Sequence, residues 1–330
     1  MRTIQTSASF PLSSVKPLEG LLRYRAYCLE MTRQALRGPT RRRQRSPIGG
    51  ASLEPFGEIG GLRYLRCQES GSLFLEELPD AVSWARLLQD VSRHRFSSEG
   101  FYPGLAQSRT DHVYTPKLEW IRDTLRLQGV RQPIVLEGAT PPSTFTHLLK
   151  DSGMCSDVLM VDEMTVATGS GNCADAPRVH AAILLESLDR VDDPVALLQG
   201  VVNRMEEGGL LFVTALVCSG FDLAVLGLAN LYLCPPDRTN CFSLQGLSRL
   251  LTQAGLTLIE VSTPGVLDVE VVRAHLQHNP SLPVSRFERQ LIEADAQTHE
   301  ALQAFLQRQG LSSFARLVGK KVSSKQEGAG

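Results

Sequence analysis

Between residues 133 and 262, short apolar runs take turns with longer stretches in which apolar residues recur every three or four positions. The runs at 133–137, 157–162, 181–186, 209–215 and 256–262 are rich in Val, Leu and Ile and read as buried strands. The periodic stretches at 142–151, 194–206, around 220–231 and 244–254 read as helices. The sharpest unit covers 181–215. An apolar run leads through Glu186, Ser187 and Leu188 to Asp192-Asp193-Pro194, an acidic pair at a helix cap followed by Pro where its missing N–H costs nothing. Val195, Leu197, Leu198, Val201, Val202 and Met205 give the helix its apolar stripe, and Gly208-Gly209 stops it before the next strand. Strands alternating with helices predict an α/β fold: a Rossmann-like, mainly parallel sheet with helices on both faces.

The flanks carry weaker patterns. Residues 21–36 predict one helix, and the run at 37–45, with five arginines among helix breakers, follows it. No aromatic residue interleaves those arginines, which favours a solvated linker over a phosphate- or nucleic-acid-contacting arm. A small β unit is expected from 62–67, a glycine turn and 72–75; helices are expected at 81–94 and 116–129, the second through Leu118, Ile121, Leu125 and Leu127. From 268 onward the text is polar and helical, its longest periodic stretch at 287–309. The expected division is a flexible basic segment (1–50), a small N-terminal module (51–104), the Rossmann-like domain (105–267), a helical extension (268–320) and a disordered tail (321–330).

Composition narrows the function classes. Hydrophobic residues make up 42% and charged residues 21%, and the net charge of −1 gives no general reason to expect nucleic acid as a partner. No apolar run reaches the ~18–20 residues that a spanning helix needs; the longest, 217–233, is broken by Asp222 and Asn230. The start lacks an apolar secretory core; Ser-rich and acid-free as a transit peptide would be, it is read in preference as a plain flexible terminus. Seven cysteines without a C-x-x-C pair suggest reduced thiols of a cytoplasmic protein. His180, His275 and His278 have no metal-ligand spacing, so no metal site is expected, and no G-x-S-x-G, Walker loop or H-E-x-x-H occurs.

Glu186-Ser-Leu-Asp-Arg-Val-Asp-Asp-Pro194 followed by Gly208-Gly209 resembles the middle of the class I S-adenosylmethionine-dependent methyltransferase fold. Leu231-Tyr-Leu-Cys-Pro-Pro-Asp-Arg-Thr-Asn-Cys-Phe-Ser243, Ala254-Gly255-Leu256 and Thr263-Pro-Gly-Val-Leu-Asp-Val269 resemble one subgroup of it, without the usual His near Arg238. Tyr64-Leu-Arg-Cys67-Gln-Glu-Ser70-Gly71-Ser-Leu-Phe74 is similar to a zinc-ribbon-like module that precedes the catalytic fold in some members. Ser70 stands at the second cysteine, so the metal is expected to be lost and the β-hairpin kept.

The resemblance implies S-adenosylmethionine as cofactor and places its contacts at Glu137, Gly138, Asp162, Asp175 and Glu186. Glu137-Gly138-Ala139-Thr140-Pro141-Pro142 keeps one glycine of the usual loop, and its two prolines remove N–H donors. Asp162 suits two ribose hydroxyls, or caps the next turn. Asp175, in a Gly/Ser-rich loop, reaches the adenine amine or belongs to a connector. The Arg190 position, where His is frequent in the family, carries no expected base. Tyr232, Asp237, Arg238 and Asn240 are candidates to face an acceptor. The leading expectation is methyl transfer to a small-molecule biosynthetic intermediate. The alternative is a catalytically inactive protein of this fold, serving as a scaffold or partner subunit in an assembly. A Rossmann-like oxidoreductase is the weakest reading, because no G-x-G-x-x-G follows the first strand.

Overall fold

The computed structural model describes residues 10–95, 100–102, 104–138, 143–162 and 177–322. The chain opens with α1 (Leu18–Ala35), β1 (Thr40–Arg42), β2 (Leu53–Ile59), β3 (Leu62–Cys67), β4 (Leu73–Leu75), β5 (Glu77–Pro79) and α2 (Ala81–Arg95). Then come α3 (Thr115–Leu127), β6 (Ile134–Gly138), α4 (Thr144–Asp151), β7 (Asp157–Val161), β8 (Val179–Leu185), α5 (Pro194–Arg204) and β9 (Met205–Leu216). The last third holds α6 (Phe221–Leu226), β10 (Asn240–Cys241), α7 (Leu244–Gln253), β11 (Leu256–Ser262), α8 (Asp268–His278), α9 (Arg286–Ile292), α10 (Ala296–Arg308) and β12 (Phe314–Lys321).

The central sheet runs β11-β12-β9-β8-β6-β7. β7, β6, β8 and β9 pair in parallel, and β12 is antiparallel to both its neighbours. Period-2 alternation feeds two cores. Ala182, Leu184, Leu211 and Val213 face one, while Ala181, Ile183, Leu210 and Phe212 face the other against Trp120, Ile121 and Phe145. Helices thus cover both faces, as the apolar runs predict. Asp193 caps α5 by accepting from Val195 N and Ala196 N (3.1 and 3.0 Å). Gly208 and Gly209 lie inside β9 rather than before it. The register against β8 jumps there, and φ of +76° at Gly208 favours a residue without Cβ.

Three regions depart from the sequence reading. The segment 1–50, expected to be flexible, holds α1 and β1 in its described part. The arginine run is not a solvated linker. β1 pairs with β5, Arg41 and Arg42 form ion pairs with Asp192 and Glu76, and Arg43 Nη2 donates to Asn240 Oδ1 at 3.0 Å. The extension 268–320 is helical only to Arg308; β12 then inserts between β9 and β11 and runs to Lys321, inside the expected tail. Residues 323–330 lie outside the described residues. The 287–309 stretch divides into α9 and α10, with Asp295 capping the second through Thr298 N.

The hairpin β3–β4 forms as expected, and β2 and β10 extend it to four strands in the order β10-β4-β3-β2. β10 comes from beyond β9, the fourth core strand, so the two halves of the chain share one small sheet. Ser70 O accepts from the Ser243 hydroxyl (2.5 Å). No group of three or more His, Cys, Asp or Glu side chains able to hold a metal occurs among the described residues, and none of their helices is long and apolar enough to cross a membrane.

Candidate functional site

From β6 the chain passes to β7 on one side and then to β8 on the other. The order therefore reverses between β6 and β8, and a crevice opens outside their carboxyl ends at such a point. Glu137 and Gly138 end β6. Asp162 follows the last residue of β7, one strand away, where neighbouring strands lie ~4.8 Å apart. Met160 is the register partner of Glu137, and Asp162 is two residues further on, so alternation sends both carboxylates to the same face. Ser143 caps α4 through Thr146 N and donates to Glu137 Oε1 at 3.3 Å. Residues 139–142, with Pro141 and Pro142, and residues 163–176, with Asp175, lie outside the described residues.

Glu186 stands at the end of β8 with φ of +60°, a left-handed conformation that costs a non-glycine residue of order 1 kcal/mol or more. Its side chain is committed to two cations. Arg238 Nη2 donates to Oε2 at 2.6 Å and Lys117 Nζ to Oε1 at 3.4 Å. Burial pushes this carboxyl up, but Arg238, Lys117 and Lys16 outweigh it and hold it well below the usual range. Burial in turn pulls the Lys117 ammonium down, with Glu186 opposing. Arg238 also reaches Asp189 at 3.4 Å. Burial opposes the Arg238 charge, yet Glu186, Asp189 and Asp237 raise its pKa, so the guanidinium stays protonated. Asp189 is fully buried. That burial, with Glu186 adding to it, pushes its carboxyl up to about 7 against Arg238.

Glu186, Lys16, Lys117 and Arg238 border a cavity of about 200 Å³ beside the crevice, between the ends of β8 and β9, the loop before α8 and the start of β12. Five cations (Lys16, Arg109, Lys117, Arg238, Arg316) and three carboxylates (Glu186, Asp222, Asp268) line it. Apolar walls come from Phe10, Leu12, Val113 and Phe314. Of the four residues expected to face an acceptor, Tyr232 and Arg238 do line the cavity. Asn240 is buried in β10, donating to Leu188 O and Val191 O, and Asp237 accepts from the Tyr24 hydroxyl at 2.9 Å. Arg190 folds back onto Glu186 O and Leu185 O. Lys16, Arg109, Lys117 and Arg316 escape a sequence reading because they are isolated charges far apart in the chain. Asp222 left one signal: it interrupts the longest apolar run.

Asp222 and Asp268 form the acidic side of the cavity. Asp268 accepts from Ser313 N (2.6 Å), the Ser312 hydroxyl (2.5 Å) and Gln303 Nε2 (2.7 Å), while Asp222 accepts from the Ser313 hydroxyl. Gly265 is needed beside them, since a Cβ there would lie 2.1 Å from Ser312 Oγ. Burial, with Asp268 adding to it, pushes the Asp222 carboxyl from 3.8 up to about 7. The stability tied to its proton is therefore complete below pH 3.8 and is lost as pH rises through 7. Asp222→Asn cannot titrate. Its stability relative to the parent, read by urea unfolding, is expected to improve by roughly 2–3 kcal/mol between pH 5 and 7.5, because the parent loses ~1.36 kcal/mol for each pH unit over which only its folded form keeps the proton. An unchanged difference across that range would remove Asp222 as the titrating group.

A family model described as a methyltransferase domain matches residues 84–261. No curated protein matches the chain in sequence. Among solved structures, a Burkholderia thailandensis 1,6-didemethyltoxoflavin-N1-methyltransferase is similar at 10% identity, covering 82% of this chain and 100% of its own, with a TM-score of 0.41. An S-adenosylmethionine-dependent methyltransferase from Thermotoga maritima is similar at 15% identity (72% and 97% covered, TM-score 0.38). An N-methyltransferase from Bradyrhizobium japonicum is similar at 10% (65% and 99%, TM-score 0.34).

Proposed function

The chain belongs to the methyltransferase-domain family, and from that premise we propose that it transfers a methyl group from S-adenosylmethionine to a small-molecule acceptor bound in the cavity beside Glu186. When bound, this cofactor supplies a sulfonium methyl group: the acceptor's lone pair forms the new bond as the C–S bond breaks, and that electron pair stays on sulfur. The chain's part is to hold the two partners in line and to exclude water.

One observation carries the reading: Glu137, Gly138 and Asp162 stand together at the switch point, with a cavity one strand away. The donor set fits a nucleoside. A carboxylate accepts from two vicinal hydroxyls at once, which makes Asp162 the ribose partner, and Gly138 leaves the backbone open to close approach. Glu137, held by Ser143, shapes the start of the cofactor loop. Glu186 serves the acceptor side through Arg238 and Lys117. A cytoplasmic setting accords with the free thiols at Cys28, Cys67 and Cys241.

Calorimetry with S-adenosylhomocysteine tests this. Asp162→Ala is expected to weaken binding by about 100-fold, ~3 kcal/mol for two hydrogen bonds to a charged acceptor. Asp157→Ala, at the opposite end of the same strand, should leave it unchanged. No binding to the parent chain at millimolar ligand would instead favour the scaffold or partner-subunit reading.

A further inference from the structure

The cavity contains donors with nothing to donate to. The Tyr232 hydroxyl, Arg238 Nε and Arg316 Nε are all buried, all belong to residues that line this one cavity, and have no hydrogen-bond acceptor among the described residues. A buried donor left unsatisfied costs ~1–3 kcal/mol, and more when charged. Such costs at one place call for a partner that brings acceptors, and Phe10, Leu12 and Phe314 set apolar wall beside them.

Arg316 is the clearest case. Its guanidinium lies over the Trp120 ring at 5.1 Å and the Phe314 ring at 6.0 Å, contacts that hold its plane but take none of its N–H groups. The nearest acid, Glu260, is occupied by Trp120 Nε1 at 3.0 and 3.1 Å and by the Ser262 hydroxyl at 3.0 Å. Burial pulls the Arg316 pKa down to about 10, with Glu260 opposing, so the group remains a cation at neutral pH. Nor do the cavity's own acids answer it. Glu186 is shared between Arg238 and Lys117, Asp268 is saturated by Ser312, Ser313 and Gln303, and burial raises the Asp222 pKa, which weakens it as a counter-charge. Cations outnumber carboxylates in the lining of a chain whose net charge is −1.

We infer that the acceptor is an organic anion with an apolar body, its carboxylate or phosphate received by Arg316, Tyr232 and Arg238 while the body lies against Phe10 and Phe314. The inference rests on the acceptor role given to this cavity above. Arg316 would then set specificity by rejecting neutral analogues, which leave its N–H groups unmatched.

The test uses the full chain, with and without S-adenosylhomocysteine, and three probes of similar size: 3-phenylpropionate, 2-phenylethyl phosphate and the neutral 3-phenylpropionamide. Calorimetry is expected to show one of the two anions binding at least tenfold more tightly than the amide, and which one wins identifies the headgroup. Arg316→Met should weaken that anion at least tenfold and leave the amide unaffected. Arg316→Lys should recover part of the loss, and Tyr232→Phe should cost about threefold. Equal binding of amide and anions, no anion binding at millimolar concentration, or an Arg316→Met variant that binds the anion like the parent would each overturn the inference. S-adenosylhomocysteine affinity in the same samples separates the two readings. Its absence sinks methyl transfer, whereas its presence beside a failed anion preference sinks only the acceptor class.

Discussion

Arg238→Met is expected to lower the free energy of unfolding by about 3–5 kcal/mol, the usual cost of leaving a buried carboxylate without its cation. Arg238 is 6% exposed and touches Glu186 at 2.6 Å and Asp189 at 3.4 Å. Without it, Asp189 keeps the Leu216 N–H at 3.1 Å as its side-chain hydrogen bond among the described residues, and Glu186 keeps Lys117 at 3.4 Å. Met fills much of the volume, so the loss reports charge rather than a cavity. Arg238→Met combined with Asp189→Asn removes the buried acid along with its partner and should return at least ~1 kcal/mol; the double-mutant cycle in urea measures the coupling. A single-variant loss under ~1 kcal/mol would mean that water reaches the cluster, and the cavity could not then exclude it from a reaction.

The core of the fold is legible in the sequence because β6, β8 and β9 are buried on both faces, which writes them as unbroken apolar runs. The caps are legible too, since Asp193, Ser143 and Ser243 act on backbone groups two or three residues away. β12 is not. It ends in Gly319, Lys320 and Lys321, carries Arg316 mid-strand, and belongs in the sheet only because β9 and β11, about 100 and 60 positions earlier in the sequence, leave a gap there. The arginine run fails for the same reason: Asp192 and Asn240, which engage Arg41 and Arg43, follow them by 151 and 197 positions. Of the candidate site, the sequence identifies the carboxylates at strand ends, where the fold rule applies. It does not identify the cavity, whose charges come from residues 16, 109, 117, 186, 222, 238, 268 and 316 and are assembled only by tertiary structure.

Trp84→Ala is expected to cost about 3–5 kcal/mol as well, and to do so for the whole chain at once. Trp84 is fully buried on α2, in the N-terminal part, yet its indole Nε1 donates to Arg190 O at 2.9 Å in the loop that follows β8. It belongs to the larger core, which runs without a break through residues of β3, β4, β8 and β9. The Tyr64 hydroxyl donates to Arg238 O at 2.7 Å, and β10 completes the N-terminal sheet. The division at residue 104 is therefore one of sequence pattern, and unfolding should pass through a single transition seen alike by tryptophan fluorescence and far-UV dichroism. Trp84→Phe keeps most of the packing but leaves Arg190 O unmatched, so it should cost about 1–2 kcal/mol. Two separate transitions, with Trp84→Ala shifting only the first, would establish the N-terminal part as an independent unit. Because Arg238 is anchored through Tyr64, that result would also leave the acceptor cavity without one of its walls whenever the first unit opened.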